Sequence, residues 1–128
     1  MAVKIALDTN IAIEVLNNNI QTINTIRQFE LIYLPITVCG ELLFGAKNSS
    51  RAHLNLLRFE DFISECQILD TIESVATEYS DVKKYLKDIG SPIPENDIWI
   101  AALCKVYDVP LYTRDAHFSK IPALKLFK

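Results

Sequence analysis

Val3-Lys4-Ile5-Ala6-Leu7-Asp8-Thr9-Asn10 is a short apolar run that ends in an acid and passes at once into an amphipathic helix pattern. Apolar residues at every position of 3–7 except Lys4 predict a strand whose two faces are both covered by helices. In open α/β sheets ligands bind outside the carboxyl ends of such strands. Asp8 therefore stands where a member of a metal-binding carboxylate cluster would stand. It is equally suited to capping the following helix or favouring its positive end, although Thr9 and Asn10 are suited to that capping too.

Working outward, apolar Ile11, Ile13, Val15 and Leu16 predict a short helix from Thr9 to about Leu16, and Asn17-Asn18-Asn19 a turn. A second helix is expected over 20–29 and a strand over 31–34, closed by Pro35. Thr37 is a plausible N-cap for a helix to about Lys47, and Ser49 or Ser50 for one carrying Leu54, Leu57, Phe59 and Phe62. A third strand is expected over 66–69. Asp70 or Thr71 then opens a long helix with Ile72, Val75, Ala76, Tyr79, Val82, Tyr85 and Leu86 on one stripe. Gly90–Pro94 reads as a loop, 96–107 as a helix, 111–113 as a fourth strand and 124–127 as a fifth. Strands alternating with helices imply right-handed crossovers and a mainly parallel sheet, hence a three-layer α/β/α sandwich.

At 128 residues this is one domain of common size, 1–128, able to bury one core. Composition is ordinary for a globular chain, with 50% apolar and 23% charged residues. No apolar run approaches a membrane span, and the first residues lack the design of a signal peptide. Cys39, Cys66 and Cys104 are widely spaced in apolar contexts, which suits reduced core cysteines of a cytoplasmic protein. His53 and His117 have no ligand-like spacing to them, which disfavours zinc. The net charge of −3, from 13 basic and 16 acidic residues, argues against one broad basic nucleic-acid-binding face. With four acids sequestered around metal, 13 basic against 12 acidic residues leave +1, so a locally basic rim stays open.

Three further acids accompany Asp8. Glu41 lies in Cys39-Gly40-Glu41-Leu42-Leu43-Phe44-Gly45-Ala46, an apolar helical pattern with a glycine on either side of it. Each interior glycine costs roughly 0.5–1 kcal/mol relative to alanine, so the pair suggests close packing or the approach of another backbone. The competing reading is a glutamate that faces water. Asp97, after Pro92-Ile93-Pro94-Glu95-Asn96, falls in the first turn of a helix, where an acid is stabilising without any further role. Glu95 competes for the same function but is better placed for solvent, and Trp99 reads as packing. Asp115 follows the fourth strand and is able to cap the turn after it. Thr113 is placed to hold a metal-bound water or a neighbouring carboxylate by its hydroxyl. His117 reads as a packed or surface histidine and receives no role.

Taken together, Asp8 and Asp115 stand at strand ends, Asp97 at a helix start and Glu41 on the helix after the second strand. In a parallel sheet these ends share one edge. Two carboxylates about 5 Å apart repel by roughly 3 kcal/mol at an effective dielectric of about 20. Several such pairs need a cation or raised pKa values to persist in a cleft. All-oxygen ligands favour Mg²⁺ or Mn²⁺.

The sequence resembles PIN-domain proteins, and among them the VapC-type toxin ribonucleases of bacterial toxin–antitoxin pairs. Leu7-Asp8-Thr9-Asn10, Glu41-Leu42-Leu43-Phe44-Gly45-Ala46, Asn96-Asp97-Ile98-Trp99-Ile100-Ala101-Ala102 and Thr113-Arg114-Asp115-Ala116-His117-Phe118 carry the resemblance, in the family's order and nearly end to end. It implies a five-stranded parallel sheet with the Asp8 strand central. It also implies a metal-dependent endoribonuclease in which Asp8, Glu41, Asp97 and Asp115 form the acidic cluster, with Asn10 and Thr113 in support. Asp8 and Asp97 are the first choice as direct ligands of one or two Mg²⁺ (or Mn²⁺) ions, and Glu41 and Asp115 would act directly or through water. Arg114, Lys47 and Arg51 can bind RNA phosphates, although surface solvation accounts for each. Partners implied are a small VapB-type antitoxin and a second copy of the chain as a homodimer, with Ile11, Ile13 and Ile20 either partner surface or core. Two other readings stand beside this one. The first is a Mg²⁺-dependent phosphatase or phosphoacceptor, since Asp8-Thr9-Asn10 resembles a D-x-D motif with its second acid replaced. The second is a non-catalytic module binding RNA or protein.

Overall fold

A computed structural model describes residues 3–128. The chain folds as β1 (Lys4–Leu7), α1 (Thr9–Leu16), α2 (Ile20–Ile26), β2 (Leu31–Pro35), α3 (Ile36–Lys47) and α4 (Ala52–Ser64). There follow β3 (Gln67–Leu69), α5 (Glu73–Asp88), α6 (Glu95–Tyr107), β4 (Leu111–Tyr112) and a 3₁₀ turn, Ala116–Lys120. The strands pair in parallel in the order β3-β2-β1-β4. Ile5, Ala6 and Leu7 are all fully buried, as a strand covered by helices on both faces must be. Burying apolar area at about 25 cal/mol per Å² drives this packing, and Leu34, Leu42, Ile100, Leu103 and Phe118 fill the core around the sheet.

The fifth strand expected over 124–127 does not form as a ladder. The segment reaches β4 through a single parallel bridge, Leu111 to Leu126. The Leu111 amide donates to Lys125 O, and the Phe127 amide donates to Leu111 O, both at 2.9 Å. With β4 only two residues long and Ala123 at φ +64° just before it, the segment has room for one pairing step.

Element boundaries differ from expectation where capping is concerned. The α2 helix ends at Ile26, and Gln28 and Phe29 continue as tightened turns. Pro35, not Thr37, precedes α3, its fixed φ of −55° starting the helix one residue after the strand. Neither Ser49 nor Ser50 caps α4, which begins after Arg51; Ser49 Oγ instead accepts from Asn55 Nδ2 at 2.9 Å. Nor does Asp70 or Thr71 cap α5, which starts after Ile72; Asp70 holds the Thr71 amide at 2.8 Å. On the α5 stripe Val75, Val82 and Leu86 are buried, whereas Ile72 and Tyr85 are exposed.

The glycine reading is corrected. A methyl group added at Gly40 or Gly45 would meet nothing within 4 Å, so no backbone approaches either residue. Both lie on the outer face of α3, where Phe44 is also exposed.

Candidate metal centre

Parallel register builds the site. Leu7 pairs with Tyr112, so the next residues along, Asp8 and Thr113, emerge side by side from the carboxyl edge. The Asp8 amide donates to Tyr112 O at 3.0 Å, extending that register by one bond. Helix α6 must finish near the amino edge because β4 starts there after a short link. Its first turn, with Asp97, is thereby brought to the carboxyl edge. Helix α3 leaves that same edge directly after β2 and carries Glu41 in its second turn.

Asp8 is 5% exposed and serves two purposes. One oxygen, Oδ1, accepts from the Thr9 amide at 2.8 Å and caps α1; the other, Oδ2, accepts from Thr113 Oγ1 at 2.6 Å. The capping and cluster readings are thus both satisfied by one side chain, while Thr9 and Asn10 lie inside the helix. Thr113 Oγ1 also accepts from the Asp115 amide at 3.0 Å, so one hydroxyl ties two acid-bearing segments together. Asp115 caps the 3₁₀ turn through Oδ1, which accepts from the His117 amide at 3.0 Å.

Burial pushes the Asp8 carboxyl above the ordinary aspartate range. Bonds from Thr113 and Thr9 oppose that rise, and the charge of Asp115 adds to it. Asp97 is raised by the same desolvation, eased by its bond to His117 and raised again by the charges of Asp8 and Asp115. Asp8 and Asp97, raised by burial and by the neighbouring acid charges, make an edge that gains from a cation.

Ligand atoms of Asp97, Asp115 and His117 all lie within 4.8 Å of one another. His117 Nδ1 is 3.3 Å from Asp97 Oδ2 and 3.0 Å from Asp115 Oδ1. The sequence reading gave this histidine no role. The signal available was its position two residues after Asp115, within one short turn. Glu41 is held at the margin, where its Oε1 accepts from Thr9 Oγ1 at 2.9 Å. Asn10 faces the backbone of the acid-bearing loop and not a carboxylate, its Oδ1 accepting weakly from the Arg114 amide at 3.4 Å.

The cationic side chains named for phosphate behave differently from one another. Arg114 forks onto Glu14, with Nε 3.1 Å from Oε2 and Nη2 3.0 Å from Oε1, and lies over the Tyr112 ring. Its charge is thereby matched before any phosphate arrives. Lys47 and Arg51 are exposed. Glu95 is solvent-facing, paired with Lys83 at 3.2 Å and bonded by Tyr79 Oη. Trp99 stacks on Tyr79 at 3.9 Å, which makes it packing as expected. Ile11 is core, Ile13 packs against the core, and Ile20 is 66% exposed. All three cysteines are free, and burial pushes the Cys66 thiol up to about 12.

A parallel α/β sheet with carboxylates gathered at its carboxyl edge defines the class, an α/β domain with an acidic site at the ends of its strands. The particular family follows from comparison: residues 5–124 match the PIN domain, and the chain belongs to that family. It is 32% identical over 126 residues to the protein named ribonuclease VapC2 of Haemophilus influenzae, covering 95% of each chain. It is 26% identical over 126 residues to the tRNA(fMet)-specific endonuclease VapC of Shigella flexneri, again covering 95% of each. Among solved structures, VapBC2 of Rickettsia felis bound to a promoter DNA fragment superposes with a TM-score of 0.89 at 25% identity, over 97% of both chains. No helix of the described residues is long and apolar enough to cross a membrane.

Proposed function

We propose that the chain is a metal-dependent endoribonuclease, the toxin of a VapBC-type pair, acting at the cluster of Asp8, Glu41, Asp97 and Asp115. The observation that carries this reading is the convergence of Asp8, Asp97 and Asp115, from three separate elements, with burial and mutual charge raising two of their pKa values. The donor set fits a hard divalent cation such as Mg²⁺ or Mn²⁺, because the side chains brought together are mainly carboxylates. When bound, such an ion polarises the phosphodiester and supplies a nucleophilic water at neutral pH. Asp97 and Asp115 would hold it, with Asp8 completing the negative charge from the strand end. Thr113 positions Asp8, while Glu41 adds a fourth negative charge from the margin, where Thr9 orients it. The first turns of α1 and α6 border this edge and favour anionic groups there.

The names of the relatives support RNA as the substrate and a VapB-type antitoxin as the partner. Exposed Ile20, Phe44, Leu54 and Leu57 offer apolar surface for the antitoxin and for a second copy of the chain. Free cysteines accord with a cytoplasmic setting. Asp8 suits a phosphoacceptor less well, because both its oxygens are engaged and the residue is 5% exposed.

The test uses protein freed of antitoxin and stripped with EDTA, then given structured RNA with Mg²⁺ or Mn²⁺. Cleavage is expected, and Asp8→Asn and Asp97→Asn should each abolish it along with any metal-induced rise in melting temperature. Wild-type protein that neither cleaves nor is stabilised by either ion would mark a non-catalytic binding module instead.

A further inference from the structure

We propose that His117 is itself a metal ligand, binding through Nδ1 beside Asp97 and Asp115 and so making the centre a mixed nitrogen–oxygen site. The inference rests on the metal-dependent reading above and concerns which of this chain's atoms reach the ion.

Phe118, the next residue in the turn, is the packed one, being fully buried, whereas the His117 side chain is 42% exposed. The imidazole is therefore not held there by core packing. Its Nδ1 contacts are the two site carboxylates, at 3.3 Å to Asp97 Oδ2 and 3.0 Å to Asp115 Oδ1. Ligands at 2.0–2.1 Å around an octahedral ion stand about 3 Å apart along each cis edge. Nδ1 thus already stands at about that spacing from an oxygen of each carboxylate, and ligand atoms of the three residues lie within 4.8 Å of one another. The backbone enforces it, because the His117 amide donates to the same Asp115 oxygen that Nδ1 approaches.

Imidazole favours the later first-row ions over Mg²⁺, so the site should discriminate between Mn²⁺ and Mg²⁺ more strongly than a purely carboxylate site. The test is pulsed EPR of Mn²⁺ bound to the EDTA-stripped wild-type chain. Directly coordinated nitrogen should appear in the spectrum, and ¹⁵N-histidine labelling should convert the ¹⁴N coupling to ¹⁵N. His117→Ala should remove that coupling. It should also weaken Mn²⁺ binding by about tenfold or more, as loss of even an indirect metal-site partner costs about 10–100-fold, while Mg²⁺ affinity changes far less. His53→Ala, on the exposed face of α4, should change neither. Bound Mn²⁺ without nitrogen coupling in the wild type would overturn the proposal and reduce His117 to a positioning residue for the carboxylates. An unchanged Mn²⁺-to-Mg²⁺ affinity ratio in His117→Ala would do the same. Failure of the wild type to bind either ion would instead remove the nuclease reading on which the proposal stands. The wild-type spectrum needs no variant, so a poorly folded His117→Ala protein does not blur the outcome.

Discussion

Thr113→Val should be the most informative conservative change at the site, because it deletes one oxygen and keeps the side chain's shape. That hydroxyl donates to Asp8 Oδ2 at 2.6 Å, the short distance of a charge-assisted O–H···O⁻ bond. Bonds to charged groups contribute about 1.5–3 kcal/mol, and a buried acceptor left without its donor loses the whole of that. Asp8 is 5% exposed, so water has little access to replace the donor. The Asp115 amide also loses its acceptor, but Asp115 is partly exposed and water compensates more readily there. A loss of about 2–3 kcal/mol is expected, or about 10 °C in melting temperature for a domain of this size.

The effect should depend on pH in a definite direction. The Thr113 bond lowers a carboxyl that burial has already raised, so its removal lifts Asp8 further. The wild type's advantage then grows as pH rises through the interval between the two folded values, and is full at neutral pH. It shrinks in acid, where Asp8 is protonated in both proteins. The assay is urea unfolding in EDTA at pH 7.5 and pH 4, with Thr113→Ser expected to restore most of the stability. A Thr113→Val protein as stable as wild type at pH 7.5, or one equally weakened at both pH values, would refute the reasoning.

Two further outcomes concern residues outside the cluster. Gly40→Ala should stabilise the metal-free chain by about 0.5–1 kcal/mol in thermal or urea unfolding, since alanine suits a helix interior and its methyl meets nothing. A fall in stability would show that the outer face of α3 is not open. Glu14 is held below its ordinary pKa first by Arg114 and then by Thr22, so its contribution is present above the unfolded value of about 4.5 and lost as pH falls through the folded value. Glu14→Gln should therefore cost up to about 1 kcal/mol at pH 7, the pair being partly exposed, and almost nothing near pH 3. An equal cost at both pH values would assign the effect to packing.

Local chemistry was enough to mark the strand–acid–helix unit at Asp8, the helix-start position of Asp97 and the post-strand position of Asp115. Each is set by short-range rules, namely the apolar run, the proline before a helix and the acid after a strand. The alternation of elements likewise carries the parallel α/β class, because parallel neighbours need crossovers whatever the details. What pattern alone left unresolved depends on atoms distant in sequence. Thr113 reaches Asp8 only because Leu7 and Tyr112 pair, and a register is a property of two strands. His117 looked like any surface histidine until the 3₁₀ turn set it against Asp97, twenty residues earlier. Arg114 reads as a free cation until Glu14 is folded beside it. The glycines of α3 mislead for the complementary reason, since absent side chains signal close contact only when something lies opposite, and nothing does. The shortness of the last strand pairing is likewise set across the sheet, by the two residues of β4 and not by residues 124–127. Charge, hydrogen bonding and ligand spacing act through space over a few ångströms, so they pass from sequence to function only through the fold that brings those groups together.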